Sequence, residues 1–165
     1  MEIRLATPHD LPAIVSIYNL AIQKRGSTSD LTPLTVEARR SWFADHHPHE
    51  NPIWVATERD EVIGWCSLSP YFPGRKGLIH TKEISFYVHL EHHRQGVGSA
   101  LIQHAIAACP KLETRTLFAI LLDHNHASAA LLEKLGFERW GHLPRVSEID
   151  GEEHGHYYYG KRLTP

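Results

Sequence analysis

Two glycines one residue apart stand in His93-Arg94-Gln95-Gly96-Val97-Gly98-Ser99, between a strand-like run and a helix-like run. Upstream, Ile84-Ser85-Phe86-Tyr87-Val88 alternates and is rich in β-branched and aromatic residues. Downstream, Val97, Leu101, Ile102, Ala105, Ile106 and Cys109 recur at helical spacing. The glycines therefore fall where a helix begins. A helix start exposes unpaired N–H groups and the positive end of the helix dipole, and a residue without Cβ lets a phosphate oxygen approach them. Arg94 adds a mobile positive charge. The chemistry open to this segment is phosphate binding; on spacing alone it is equally a glycine-punctuated turn ahead of a helix. Neither the dinucleotide fingerprint nor the Walker lysine pattern is satisfied, so nucleotide cofactors of those kinds are not expected.

A second block lies further on, Asn125-His126-Ala127-Ser128-Ala129-Ala130-Leu131-Leu132-Glu133-Lys134-Leu135-Gly136-Phe137. The first block resembles the acetyl-CoA pyrophosphate loop of the GNAT superfamily of N-acetyltransferases, with His93 at the signature's first position and Arg94, Gly96 and Gly98 in its tail. The second resembles that family's other cofactor helix, which begins near an Asn and ends in Lys-x-Gly-Phe. The resemblance implies acetyl-CoA as co-substrate, held by His93, Arg94, Gln95, Gly96, Val97, Gly98 and Ser99, with Asn125, Ser128 and Lys134 from the second block. Ser128 is equally suited to capping a helix, and Lys134 to complementing a helix end.

Thr81-Lys82-Glu83-Ile84-Ser85-Phe86-Tyr87-Val88 resembles the strand of the phosphinothricin acetyltransferase group within this superfamily that carries its proposed base. The match implies Glu83 as catalytic residue. A carboxylate in a partly buried cleft can have a raised pKa and take an ammonium proton directly or through water. The alternative is a solvated charge, or an ion-pair partner of Lys82 or Arg75. The resemblance also implies that backbone groups of Phe86, Tyr87 and Val88 hold pantetheine, with the Val88 N–H polarising the thioester carbonyl.

Three segments depart from that group's pattern. The acceptor loop reads Tyr71-Phe72-Pro73-Gly74-Arg75-Lys76-Gly77, in which Phe72, Arg75 and Lys76 match loosely and are the expected substrate-binding residues. A guanidinium there could clamp an acceptor carboxylate, or simply be a solvated loop charge. The Tyr157-Tyr158-Tyr159 tail alternates across a strand, with one face core and Tyr158 or its neighbours edging a cleft. Leu132 occupies the position where the family carries Tyr, or the group His, as acid toward the CoA thiolate. An apolar residue cannot donate a proton, which leaves water, Ser128 or Tyr87.

The elements that must position these residues follow from periodicity. Residues 2–6 alternate as a strand, and Leu11, Ile14, Val15, Tyr18 and Ile22 form a helix behind Asp10, with Pro12 in its first turn and Gly26 closing it. A helix is expected over 35–45, a hairpin from 53–57 and 61–68, and a Pro/Gly loop over 70–77. The central strand is expected over 78–89 and helices over 96–108 and 127–135, with strands over 117–122, from Phe137 through Leu143, and over 155–163. This order is that of an α+β GNAT acyl-CoA N-acyltransferase fold: a mixed, mostly antiparallel sheet splayed at its centre, flanked by about four helices, so that pantetheine completes the sheet as an added strand would. By family position, Tyr18, Asn19 and Ser27-Thr28-Ser29 approach the acceptor.

Length and composition fit these expectations. The chain of 165 residues suits a single domain over 1–165, and 42% hydrophobic with 22% charged residues excludes disorder. A formal net charge of −2 and the absence of a basic run give no support to nucleic-acid or membrane-surface binding. No secretory pattern or membrane-length apolar run is present, so a cytoplasmic enzyme is expected. Cys66 and Cys109 read as buried free thiols. Fourteen histidines, with pairs such as His46/His47, His92/His93, His124/His126 and His154/His156, invite a zinc hypothesis, but no Cys or HExxH partner completes a zinc set; no metal is expected. The resemblance implies a homodimer and a small-molecule amine acceptor, a small amino acid or analogue such as phosphinothricin or methionine sulfoximine. Protein amino termini, polyamines, and a non-catalytic acetyl-CoA-binding module are the alternatives.

Overall fold

In the computed structural model, which describes residues 1–164, the alternating runs become strands β1 (Glu2–Leu5), β2 (Ile53–Glu58), β3 (Glu61–Pro70), β4 (Thr81–Val88), β5 (Thr116–Leu122), β6 (Glu138–Ile149) and β7 (Glu152–Arg162). The helical runs become α1 (Leu11–Lys24), α2 (Val36–Ala44), α3 (Val97–Ala108) and α4 (His126–Lys134). One sheet holds all seven strands in the order β1-β2-β3-β4-β5-β7-β6. Every pairing is antiparallel except β4 with β5. No helix among the described residues is long and apolar enough to cross a membrane.

Each face of the sheet is covered by a helix pair. On one side Leu101, Ile102 and Ala105 of α3 and Leu132 of α4 meet Cys66, Leu68, Ile84, Leu117 and Ala119. On the other, Ile14, Ile17, Tyr18 and Ile22 of α1, with Trp42 and Phe43 of α2, cover Ile53, Val55 and Trp65. Burial of these side chains is the main stabilising term, at about 1.5–3 kcal/mol for each large one. The strand period of two sorts β4 between the faces: Lys82, Ile84, Phe86 and Val88 turn toward α3, while Glu83, Ser85 and Tyr87 turn toward α1.

The boundaries that depart most from the sequence-based expectation lie at the central strand, the end of α1 and the β6–β7 hairpin, where β7 starts at Glu152 rather than at residue 155. The central strand starts at Thr81 rather than at residue 78, because Lys76–Leu78 closes a 3-10 turn, and it ends at Val88, where His89 caps a second turn over Leu90–His92. Helix α1 ends on Arg25, which adopts the left-handed conformation (φ 56°), one residue before Gly26. Strand β6 runs on to Ile149, well past residue 143, and its hairpin to β7 closes on Asp150 (φ 52°) and Gly151 (φ 84°). Two successive left-handed residues make the turn whose twist matches a two-stranded ribbon. Pro144 interrupts the pattern on β6, and the ladder is irregular between Leu143 and Ser147, which explains why the strand reads short in sequence.

Candidate active site

Strands β4 and β5 pair only through Thr81, Lys82 and Glu83 against Thr116, Leu117 and Phe118; beyond that they part. The gap opens into a cavity of about 400 Å³ lined by Ile84 through Val88 on one side and Ile120 and Leu121 on the other. The backbone of β4 from Ser85 onward has β3 on one edge and this cleft on the other. That leaves strand donors and acceptors available to a ligand lying along the cleft.

The far wall is the start of α3. The first helical bond runs from Ala100 N–H to the Gly96 carbonyl (2.9 Å), so the N–H groups of Val97, Gly98 and Ser99 have no intrahelical acceptor. Gly96 caps the helix at φ 85°, a conformation that costs other residues about 1–2 kcal/mol. Gly98 serves differently: a Cβ there would come within 3.2 Å of Leu131 and 3.7 Å of Val88. The missing side chain lets the α3 start settle against both α4 and the strand end. The ring of His93 is fastened by its Nε2 to the Val88 carbonyl (2.9 Å), tying the loop to β4. His93, Arg94, Gly96, Val97, Gly98 and Ser99 line the cavity, as do Phe86, Tyr87, Val88, Asn125, Ser128 and Lys134. Gln95 is the exception among the expected cofactor residues, because its side chain turns back and donates to the Glu91 carbonyl (2.8 Å). Asn125 accepts from the Ser128 N–H (3.2 Å) and so caps α4 while facing the cleft.

Glu83 sits where the strands begin to part. It is partly buried, and it makes no side-chain hydrogen bond or ion pair among the described residues; burial alone raises its pKa above the usual glutamate range. The ion pair with Lys82 that the sequence leaves open does not form. Lys82 turns to the opposite face and donates to the Glu50 carbonyl and to Asn51 Oδ1, each at 2.6 Å. Arg75 likewise lies over the Phe72 ring, 5.0 Å from its centroid. A carboxylate held this way, with no cation beside it among the described residues, is free to accept a proton.

Around Glu83 the exposed side of the sheet is aromatic. Phe118, its β5 neighbour, stacks on Tyr71 (4.6 Å) and meets Trp140 edge-on (5.4 Å) and Tyr158 (6.4 Å). Trp140 is the extra residue of a bulge between Arg139 and Gly141 in β6, and its ring lies over Gly160, where any Cβ would collide with it. Burial raises the Tyr158 hydroxyl pKa, and Tyr71 and Glu83 push the same way. Tyr159 is on the other face, buried, donating to Glu133 Oε1 (2.8 Å). Of the expected acceptor residues, Phe72 joins this wall through Tyr71 (4.8 Å), and Arg75 only by covering Phe72. Lys76 opens an exposed 3-10 turn.

Other expectations sort into positioning and structure. Tyr18 meets Tyr87 edge-on (4.9 Å), and its hydroxyl bonds to Thr28 and Asp30, fixing the loop after α1. Asn19 does not face the cleft for chemistry: its amide exchanges two hydrogen bonds with the Leu34 backbone. Ser27 lines the cavity, joined by Lys24 and Ala21, which sequence reasoning missed. Their signal was only the exposed flank of an amphipathic helix. Leu132 is fully buried, so no proton donor occupies that position. Phe118 and Trp140 were also missed, because each looks like an ordinary strand aromatic until β5, β6 and β7 are assembled.

Comparison with known proteins agrees with this geometry. The Acetyltransferase (GNAT) family model matches residues 14–137, a span holding most of α1, both cofactor blocks and Glu83. YwnH of Bacillus subtilis, which bears a provisional phosphinothricin acetyltransferase name, is 38% identical over 99% of this chain and 100% of its own. The L-methionine sulfoximine/L-methionine sulfone acetyltransferase of Pseudomonas aeruginosa is 33% identical over 91% of this chain and 87% of its own. Among solved structures, a GNAT superfamily phosphinothricin acetyltransferase from Sinorhizobium meliloti in complex with acetyl-CoA superposes with a TM-score of 0.92 at 26% identity, covering 98% of this chain and 88% of that one. With a glycine-capped helix, a parted sheet and a family match over most of its length, the chain belongs to the GNAT acetyltransferase family.

Proposed function

We propose that this protein moves an acetyl group from acetyl-CoA to the amine of a small amino acid analogue of the phosphinothricin or methionine sulfoximine kind, by direct transfer. The observation that carries the reading is the partly buried, unpaired Glu83 at the point where a backbone-lined cleft meets an aromatic wall. The cleft fits the co-substrate: a side chain at Gly98 would press on Leu131 and Val88, and the N–H groups at the α3 start face the space where a pyrophosphate belongs.

Acetyl-CoA supplies the acetyl thioester. Glu83 takes the proton of the acceptor ammonium, freeing the nitrogen lone pair to attack the carbonyl carbon; a C–N bond forms, the C–S bond breaks, and the second proton lost by the nitrogen goes through water to the departed thiolate. The Val88 N–H polarises the carbonyl, and its charge stabilisation is of the kind worth roughly 3 kcal/mol per donor. Leu132 supplies no acid, and none is obligatory, because a thiol of pKa about 8.5 is a competent leaving group as thiolate. Phe72, Tyr71, Phe118, Trp140 and Tyr158 receive the acceptor side chain, and Arg75 and Lys76 attract its carboxylate. We further infer a single cytoplasmic domain acting as a homodimer. The free, buried Cys66 and Cys109 fit a reducing compartment, and the outer strand β6 presents exposed Leu143 and Val146.

The test is thiol release from acetyl-CoA across phosphinothricin, methionine sulfoximine, other amino acids, polyamines and amino-terminal peptides, each against a no-acceptor blank. Acceptor-dependent release with the amino acid analogues is expected. Release with peptides or polyamines alone would reassign the acceptor. Tight acetyl-CoA binding without turnover on any of them would favour the second reading, a non-catalytic binding module, for which buried Leu132 is the supporting observation.

A further inference from the structure

On the flank of the β6–β7 hairpin, away from Glu83, the side chains of Asp123, His124 and His154 converge. One donor atom from each lies within 4.8 Å of the other two. The histidine pairs adjacent in sequence are not the ones that meet: His126 opens α4 in solvent, and His156 bonds through Nε2 to Ser29 Oγ (3.1 Å). Instead, the end of β5 brings His124 against His154 of β7, their ring centroids 4.2 Å apart.

Two of the three groups, His124 and Asp123, are already oriented from outside, while His154 has only a 4.0 Å contact with the exposed Glu152. His124 Nε2 is 3.3 Å from the Arg25 carbonyl. A carbonyl only accepts, so Nε2 carries a proton, and in the neutral form of the ring the lone pair lies on Nδ1. That Nδ1 atom is buried and has no hydrogen-bond partner among the described residues; it stands 3.9 Å from Asp123 Oδ1. The other carboxylate oxygen, Oδ2, accepts from the Gly155 N–H (3.0 Å) and from His142 Nε2 (3.2 Å), which leaves Oδ1 turned toward His124. Residue 155 has to be glycine for this approach, because a Cβ would come within 2.5 Å of Oδ2. A histidine whose second nitrogen donates to a backbone carbonyl, and a carboxylate fixed through its second oxygen, are the outer-layer arrangement of a metal ligand set. A buried ring nitrogen without a hydrogen-bond partner costs free energy that a bound ion would offset.

We infer that Asp123, His124 and His154 form a site for a divalent transition-metal ion of the zinc class, with one carboxylate oxygen, two imidazole nitrogens and an open position for water. Donors around a tetrahedral zinc ion lie roughly 3.4 Å apart, so the three groups close on an ion by side-chain adjustment of an ångström or so. The ion takes no part in acetyl transfer. It joins the end of β5, one residue before Asn125, to the β6–β7 hairpin, beside the Arg25–Asp150 ion pair (3.0 Å) that already ties that hairpin to α1.

The experiment uses the full chain without a histidine tag, titrated with Co2+ as a spectroscopic stand-in, then displaced by Zn2+ in competition with a chromogenic chelator. One ion per chain is expected, with a visible cobalt absorption of nitrogen and oxygen ligation and a raised thermal midpoint in the presence of Zn2+. His154→Asn and Asp123→Asn should each weaken binding at least tenfold, while His126→Asn should leave it unchanged. Circular dichroism reports whether the variants fold. Absence of a stoichiometric site in the wild-type protein, or equal affinity in the wild type and in a folded His154→Asn or Asp123→Asn, would overturn the assignment and place any bound metal on the other histidines.

Discussion

The two halves of the cleft are built on different principles. The half proposed to hold acetyl-CoA is mostly backbone: the parted edge of β4, the α3 start and the Asn125-capped start of α4, with glycines at 96 and 98 whose value lies in what they lack. The half proposed to receive the acceptor is side chains, Tyr71, Phe118, Trp140 and Tyr158, drawn from a loop and three strands. A backbone site changes only if the local fold changes, whereas a wall of side chains can be respecified residue by residue. Glu83 stands at the join, on the last pair before the strands part.

If that division is right, substitutions should act on one half at a time. The largest effect is at the join. Glu83→Gln should lower kcat by about 10²- to 10⁴-fold and remove the rise of rate with pH, which in the wild type reports deprotonation of a carboxylate whose pKa burial has raised. The sign for stability is opposite. A group with its folded pKa above its unfolded one contributes stability at low pH that is lost as pH rises through the folded pKa. The wild type should therefore lose stability relative to Glu83→Gln between acid and neutral pH, as thermal melts would show.

Next come the separate halves. Gly96→Val must hold a β-branched residue at φ 85°, and a penalty of about 1–2 kcal/mol translates into roughly tenfold weaker acetyl-CoA binding by calorimetry, with the acceptor KM little changed. Phe118→Ala should do the reverse, raising the acceptor KM about tenfold through loss of its aromatic contacts and leaving acetyl-CoA affinity alone. Gly160→Ala, far from either ligand in sequence, would force the Trp140 ring off its seat. Because that ring is half exposed and free to swing, a few-fold rise in acceptor KM is expected. A comparable loss of acetyl-CoA affinity in either acceptor-side variant would break the division.

The smallest effect should lie outside both halves. Asp10 receives two hydrogen bonds from Arg4 and further ones from Thr7, and the Arg4 contact holds its pKa at about 2. That stability is present above the unfolded value and is lost as pH falls toward 2. Asp10→Asn should cost on the order of 1–2 kcal/mol at neutral pH, with the two proteins converging by about pH 2 and kcat unaffected.

The same division governs what could be read from sequence. The cofactor half was legible because a helix start needs contiguous residues, and the Gly96-Val97-Gly98 spacing and the Asn125 cap are local signals. Glu83 was legible by resemblance to a strand motif. The Gln95 side chain turns away from the cleft, a direction that a loop signature does not specify. The acceptor wall was largely hidden: Trp140 owes its place to a bulge and to Gly160 in the neighbouring strand, neither of which has a pattern in the one-dimensional order. Only Phe72 and Tyr158 were anticipated there. The long β6–β7 hairpin was underread because Pro144 masked a strand whose turn, Asp150-Gly151, was nonetheless a strong local signal.

The most direct test is the mass of the acceptor after incubation with acetyl-CoA, for phosphinothricin and methionine sulfoximine, with wild-type protein and with Glu83→Gln. The account predicts that the wild type adds one acetyl group to the acceptor amine, and that the variant, still binding acetyl-CoA with wild-type affinity, makes at least a hundredfold less product per unit time. Released CoA with no change in acceptor mass, or equal product from both proteins, would contradict it.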